Sequence, residues 1–195
     1  MARLWLVRHA VAAAADDLRL PGIDHPLLPE GQVQARALAA RLREFAPAGV
    51  YASDALRARQ TGEAIAVACG VPLTIEPALR EVDFGAWGGR TYAEVVAVEP
   101  DAARYFSDPY AMTPPGGEPA HDAAWRVHEV MQSVGLAEGG VVVGHAGSLR
   151  LALALALGIP FAASWRLRLD CGHVSVLDWT AEGPIVECLN DGCHL

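Results

Sequence analysis

The 195-residue chain is short of charge, with Asp, Glu, Lys and Arg making up 19 % of it against 52 % apolar residues. That balance excludes a disordered chain and supplies enough apolar material for a sizeable core. An excess of positive charge is lacking too. The formal net charge is −8 and the pI about 5.3, which excludes broad nucleic-acid binding through a basic surface. Long apolar runs are absent. The longest, Leu151–Leu157, is far too short to span a bilayer. At the start of the chain only four apolar residues, Leu4–Val7, separate Arg3 from Arg8, too short a run for a secretory leader. Cys69, Cys171, Cys188 and Cys193 form no Cys-x-x-Cys pair and fit reduced thiols in a cytoplasmic enzyme. A zinc site built from Cys171, His173, Cys188, Cys193 and His194 follows no standard ligand spacing, so no metal or other cofactor is expected. With no internal repeat, low-complexity tract or interdomain linker, residues 1–195 read as one domain.

The segments that are present alternate. RLWLV reads as a short buried strand ending at Arg8-His9, and residues 30–45 read as an amphipathic helix with Val33, Leu38, Leu42 and Phe45 on one face. A second strand, Val50-Tyr51-Ala52, leads to Ser53, which is placed to cap the helix ALRARQTGEAIAVAC. PLTIE reads as a third strand, residues 91–98 as a short helix, and residues 100–119 as an irregular lid. A helix from about His121 to Leu136 precedes the β-branched strand VVVG, with His145 just past its end and a further helix closed by Gly158. SWRLRLD, HVSVLDW and PIVECLN read as three further strands, antiparallel in part. The pattern implies an α/β fold, a three-layer α/β/α sandwich around a mostly parallel sheet. In such sheets ligands bind beyond the carboxyl ends of the strands, the rim at which Arg8-His9, Ser53 and His145 fall.

Two arginines, two histidines and one acid can therefore converge there: Arg8, His9, Arg57, His145 and the loop acid Glu81. Their types fit phosphoryl transfer without a metal. Guanidiniums and an imidazolium neutralise the three equatorial oxygens of a phosphoryl group. A neutral imidazole attacks phosphorus in line, and a carboxylic acid protonates the leaving alkoxide and then accepts a proton from water. In this scheme His9 is neutral, His145 serves best as a cation, and Glu81 is at least partly protonated when substrate is bound. The expected pH profile is a bell on the acid side of neutral.

Five segments in this order resemble the motifs of the histidine phosphatase superfamily, which includes phosphoglycerate mutases and α-ribazole phosphatases. LVRHA is similar to its Leu-Val-Arg-His-Gly, HPLLPEGQVQA to its Pro-Leu-Thr-x-x-Gly-x-x-Gln-Ala, and YASDALRARQTGEAIA to its Ser-x-x-x-Arg-Ala-x-x-Thr segment. LREVDFGAWGG resembles Leu-x-Glu-x-x-Phe-Gly-x-Trp-Glu-Gly, and VVGHAGSLR the second histidine motif. The resemblance implies a phosphoglycerate mutase-like fold and a phosphatase with His9 as nucleophile. It further implies that Arg8, Arg57 and His145, with Ala146, bind the phosphoryl group and that Glu81 is the proton donor.

The chain departs from that pattern in places. Ala10 replaces a glycine, an alanine stands where the family has a phosphate-binding Asn, and Gly88 stands where it often has Glu. Asp16 and Asp17 cannot replace the Asn, because a carboxylate repels phosphoryl oxygens. One lost donor costs about 1–3 kcal/mol of phosphate or transition-state binding. This departure keeps open a second reading, a phosphate-binding module that has lost turnover. The chain has no room for the insert that holds the phosphosugar in longer mutases of the family. GIPFAASWRLRLDCGHVSVLDW and Pro115-Gly116-Gly117-Glu118 resemble the α-ribazole phosphatase branch, with a broad-specificity or phosphosugar phosphatase as the alternative. The expected partner is a small-molecule phosphate ester, not nucleic acid or membrane, and a homodimer is left open. Tyr105, Phe106, Tyr110 and Trp125 either stack on a substrate or, the reading preferred, pack the lid. Trp5, Trp165 and Trp179 read as core, His25, His121 and His128 as surface. Arg150 reads as the partner of a nearby carboxylate.

Overall fold

A computed structural model describes residues 2–13, 20, 25–109 and 111–195. Its centre is a six-stranded sheet in the order β3-β2-β4-β1-β5-β6. The strands are β1 (Ala2–Arg8), β2 (Val50–Ala52), β3 (Leu73–Ile75), β4 (Gly140–Gly144), β5 (Val174–Thr180) and β6 (Gly183–Asp191). The first four in chain order are mutually parallel, whereas β5 and β6 join antiparallel. Every residue of β4 is buried, as a strand covered on both faces requires.

Alternation along the strands sorts the core into two layers. Leu4, Leu6 and Val142 pack against Val127, Met131 and Val134 of α5 (Ala120–Leu136) and Leu149, Ala152 and Leu153 of α6 (Ala146–Ala156). Trp5, Val7, Val141 and Val143 face the other way, against Leu38, Ala39 and Leu42 of α1 (Pro29–Arg43) and Ala58, Ile65 and Ala66 of α2 (Leu56–Cys69). A third cluster sits apart. Val82, Phe84 and Trp87 close over Val95 of α3 (Tyr92–Val98), Ala102 and Tyr105 of α4 (Ala102–Ser107) and the start of α5.

Several expectations need correction. The buried stripe of α1 runs through Gly31, Ala35, Leu38, Ala39 and Leu42, whereas Val33 and Phe45 are exposed, because Val33 lies on the opposite side of the helix from that stripe and Phe45 lies beyond its end. SWRLRLD is not a strand: residues 161–166 form a 3-10 turn, followed by an irregular stretch whose carbonyls serve arginine side chains. The lid region is less irregular than expected, since α4 lies within it. Tyr105 and Phe106 do pack, edge-on to each other and against Trp87. Trp125 does not join them; it stacks on the outer face of α5 between His121 and His128. Half-buried His128 also lies 6.0 Å from the Trp179 ring, so it is not a plain surface residue. Trp165 is 40 % exposed and carries the Arg150 guanidinium over its ring. Arg150 makes its hydrogen bond not to a carboxylate but to the Leu167 carbonyl, from Nε at 2.8 Å, and Glu81 and Asp170 act on it only through space. Tyr110 and the stretch 14–19, with the alanine at the expected Asn position and Asp16 and Asp17, lie outside the described residues.

Candidate active site

Strand register builds the site. Arg8 pairs with Gly144 and Ala52 with Val143, so the next residues, His9, Ser53 and His145, emerge side by side. Two bonds lock them there, His9 N–H to Gly144 O and Ser53 N–H to Val143 O, both 3.0 Å. The chain leaves β1 into α1 on one face of the sheet and leaves β4 into α6 on the other. The two histidines thus stand at the point where the strand order reverses, where open α/β sheets form a crevice.

Arg57, in the first turn of α2 and 4 % exposed, joins them. Its Nε donates to His9 Nε2 at 3.1 Å and its Nη2 to His145 Nδ1 at 2.9 Å. A guanidinium has no lone pair to offer, so both imidazole nitrogens are acceptors and carry no proton. The tautomers follow. His9 is protonated at Nδ1, which donates to Ala10 O (2.8 Å), and His145 at Nε2, which donates to Ser53 Oγ (2.9 Å). The two rings meet edge to face with centroids 5.1 Å apart.

Burial, then the cation of Arg57 and that of Arg8, push His9 down to about 3, although its bond to Ala10 O opposes this. His145 is driven well below the ordinary histidine range, first by burial and then by His9, Arg57, Arg126 and Arg8. Both imidazoles are therefore neutral here, because Arg57 and Arg8 already supply the positive charge; the expectation of a cationic His145 concerns the ring beside a phosphate.

Arg8 donates from Nη1 to Leu169 O at 2.8 Å. Its buried Nε, like the buried hydroxyl of Ser148, has no partner among the described residues. A buried guanidinium N–H left this way is costly unless a bound oxygen accepts from it. Glu81 lies across the start of α6, accepting from Gly147 N (3.0 Å), Ser148 N (2.6 Å) and Val82 N (3.0 Å). A Cβ at 147 would stand 2.7 Å from Glu81 Oε1, so any larger residue there would require the Glu81 carboxylate to move. Ala146 is the first helical residue after the His145 cap. The structure thus brings Arg8, His9, Arg57, Glu81, His145 and Ala146 to one rim, whereas Arg59 pairs with Glu63 on the exposed face of α2.

Three contributors escaped the sequence reading, Thr61, Arg126 and Gly172, and a fourth, Ser53, was placed at the rim in another role. Ser53 does not cap α2, whose cap is Ala55; its hydroxyl serves His145 instead. Thr61 accepts from Ala10 N (3.1 Å) and donates to Arg57 O (2.8 Å), tying the His9 loop to α2. Arg126 donates to the carbonyls of Ala78, Arg80 and Glu81 at 2.6–3.0 Å and to Glu118, so it holds the loop that carries Glu81. Gly172 N reaches Arg8 O and His9 O behind the pocket, at a φ of +73° that favours glycine. For Ser53 and Thr61 the signal lay in the Ser-x-x-x-Arg-Ala-x-x-Thr spacing; for Arg126 no local signal exists. Among the described residues no group of three or more His, Cys, Asp or Glu side chains is placed to hold a metal ion, and no helix is long and apolar enough to cross a membrane.

Residues 4–192 match the model of the histidine phosphatase superfamily (branch 1). The chain belongs to that superfamily. Its similarity to the probable phosphoglycerate mutase GpmB of Salmonella paratyphi C is 32 % identity over 100 % of this chain and 95 % of that protein. Among solved structures, YhfR of Bacillus stearothermophilus superposes with a TM-score of 0.91 at 26 % identity, covering 100 % of this chain and 99 % of that one. The α-ribazole phosphatase of Shigella flexneri superposes at 0.85 and 27 % identity, covering 97 % and 96 %. Histidine phosphatase superfamily members are phosphatases or mutases acting on small phosphorylated substrates.

Proposed function

We propose that the chain is a phosphatase that hydrolyses small-molecule phosphate monoesters through a phosphohistidine on His9, residues 1–195 forming one domain with a lid near residues 100–119. The observation that carries this reading is the proton-free Nε2 of His9, held open-paired to Arg57 while Nδ1 is anchored on Ala10 O. Arg8, Arg57 and His145, with the N-terminal turn of α6 at Ala146, receive the phosphoryl oxygens. The Nε2 lone pair forms the N–P bond as the ester O–P bond breaks. Glu81 gives its proton to the leaving alkoxide, then takes one from the water that attacks the phosphohistidine and releases orthophosphate.

The length argument against a mutase does not discriminate, because a relative named as a mutase is matched over 95 % of its length. Hydrolysis is preferred on the likeness to phosphatase structures. For the substrate, α-ribazole 5′-phosphate is the specific reading, supported by the C-terminal motif and by the α-ribazole phosphatase neighbours.

Wild type and His9→Ala are compared for phosphate release from p-nitrophenyl phosphate at pH 5–7 with EDTA present. Turnover by wild type alone is expected. Full activity in the variant overturns the mechanism. A panel with α-ribazole 5′-phosphate and phosphoglycerates then separates the substrate readings; isomerised phosphoglycerate without phosphate release would mark a mutase.

A further inference from the structure

Two buried hydroxyls beside the loop acid have no partner. The first is on Tyr105 of α4, whose ring packs edge-on against Phe84, Trp87 and Phe106 at centroid distances of 5.9, 5.6 and 5.4 Å. The residue is 2 % exposed. A phenol oxygen lies on the ring axis, so this packing fixes where the hydroxyl stands. Among the described residues no hydrogen bond reaches it, although a buried tyrosine hydroxyl usually finds one. Burial, then the negative charges of Glu81 and Glu118, push the phenol above its ordinary range. It therefore keeps its proton and stands as a donor.

The second is on Ser148, the third residue of α6, which is fully buried and whose hydroxyl is also unpartnered. Its backbone N–H holds Glu81 Oε1 at 2.6 Å. It lies one turn before Leu151 on the same helix face, and Leu151 packs in the cluster that contains Tyr105. The two orphans thus flank Glu81, one from the lid and one from α6.

The carboxylate shows which part of a substrate comes here. Oε1 accepts two N–H groups, from Val82 and Ser148, whereas Oε2 accepts one, from Gly147. The open lone pair on Oε2 is the place for the proton that passes to the leaving oxygen, so the leaving alcohol lies against Glu81. Aryl and plain alkyl groups offer the two hydroxyls nothing. A carboxylate in this place is repelled by Glu81 and Glu118. A neutral hydroxyl both accepts from Tyr105 and donates to Ser148. We propose that Tyr105, aided by Ser148, is a specificity-determining residue selecting phosphate monoesters whose alcohol carries a further uncharged hydroxyl near the ester oxygen, that is, polyol and sugar phosphates. This rests on the proposed phosphoryl site with Glu81 facing the leaving group.

Glycerol 3-phosphate and propyl phosphate share a three-carbon chain and differ only in hydroxyls, so the ratio of their kcat/KM values reads the subsite. Wild type is expected to prefer the glycerol ester about tenfold, the effect of one net hydrogen bond. Tyr105→Phe keeps the ring contacts and is expected to bring the ratio close to one. Ser148→Ala keeps the backbone N–H on Glu81 and is expected to lower the ratio about threefold. A purely structural role for either hydroxyl would change both esters together and leave the ratio alone.

A wild-type ratio near one, or a ratio that Tyr105→Phe does not move, overturns the proposal and leaves the phosphatase reading standing. If neither ester is turned over, the phosphatase reading is in trouble by itself, and calorimetric titration of His9→Ala with the two esters reads the same preference without turnover. Tighter binding of the glycerol ester that is lost when Tyr105→Phe is added supports the subsite; equal affinity, or binding of neither, overturns it.

Discussion

The two sides of the pocket are built by different physics. The strand side, carrying Arg8, His9, Ser53 and His145, is positioned by the register of three parallel strands whose residues are almost wholly buried. The loop side, carrying Glu81, has no ladder. It is held by the Arg126 side chain on three carbonyls, by Glu118 on Asp83 N (2.9 Å), and by backbone contact. At Gly85 and Gly117 that contact is so close that a Cβ would meet backbone atoms at 2.3 Å. The first side is rigid because many ladder bonds and a packed core move together. The second depends on a few side chains, so single substitutions should reposition it without unfolding the protein.

The strand side should give the largest effect. Arg57→Ala removes the donor shared by both histidines and a ligand of the proposed phosphoryl site. Its kcat with p-nitrophenyl phosphate is expected to fall about a thousandfold, while histidine NMR shows His9 titrating nearer its ordinary value. A loss of less than tenfold would show that the two imidazoles work without their bridge.

The same side should make stability depend on pH. His9 and His145 are both held below the ordinary range when folded, so the unfolded chain binds more protons at acid pH. Their contribution is complete above about pH 6.5 and is lost as pH falls from there through about 3, where His9 itself protonates. Each histidine contributes at most about 1.4 kcal/mol per pH unit in that window. The urea midpoint is expected to drop between pH 7 and pH 5, and by less in His9→Gln. Equal drops in both proteins would remove His9 from the account.

On the loop side, Arg126→Ala leaves three carbonyls without that donor and the Glu118 carboxylate with Asp83 N alone. The expected cost is about 2–3 kcal/mol, kept moderate because the pair is partly exposed. Turnover should fall roughly 10- to 100-fold through Glu81, less than the roughly 10²–10⁴-fold of a general acid lost outright, because Glu81 is displaced and not removed, while sulfate affinity stays near wild type. Equal loss of both would mean that the two sides are not separable. The smallest effect is expected away from both. Arg3→Ala breaks the Arg3–Asp178 pair, which is 44 % exposed on the arginine side, and should change stability by less than about 1 kcal/mol.

This contrast also explains what could be read in advance. Arg8, His9, Arg57 and His145 were legible because each follows an apolar strand or opens a helix within a few residues. Glu81 was found only through a loop motif. Arg126 was not found, since its partners lie 45–48 residues earlier in the chain and nothing in its own helix marks it. Ser53 was found for the wrong reason: helix-start chemistry predicted a cap, and the tertiary fold gave the hydroxyl to a histidine 92 residues away.

By itself the sequence determined the layers, the parallel core and the rim to which the reactive residues belong, because these follow from periodicity and from strand and helix ends. Only the tertiary structure decided which nitrogen of each histidine holds the proton, that both rings are neutral, and that the loop acid sits on a helix end. Those outcomes depend on burial and on which donors arrive from distant segments. Neither is encoded in local pattern; both are set when the strands close side by side and bring Arg57 between the two rings.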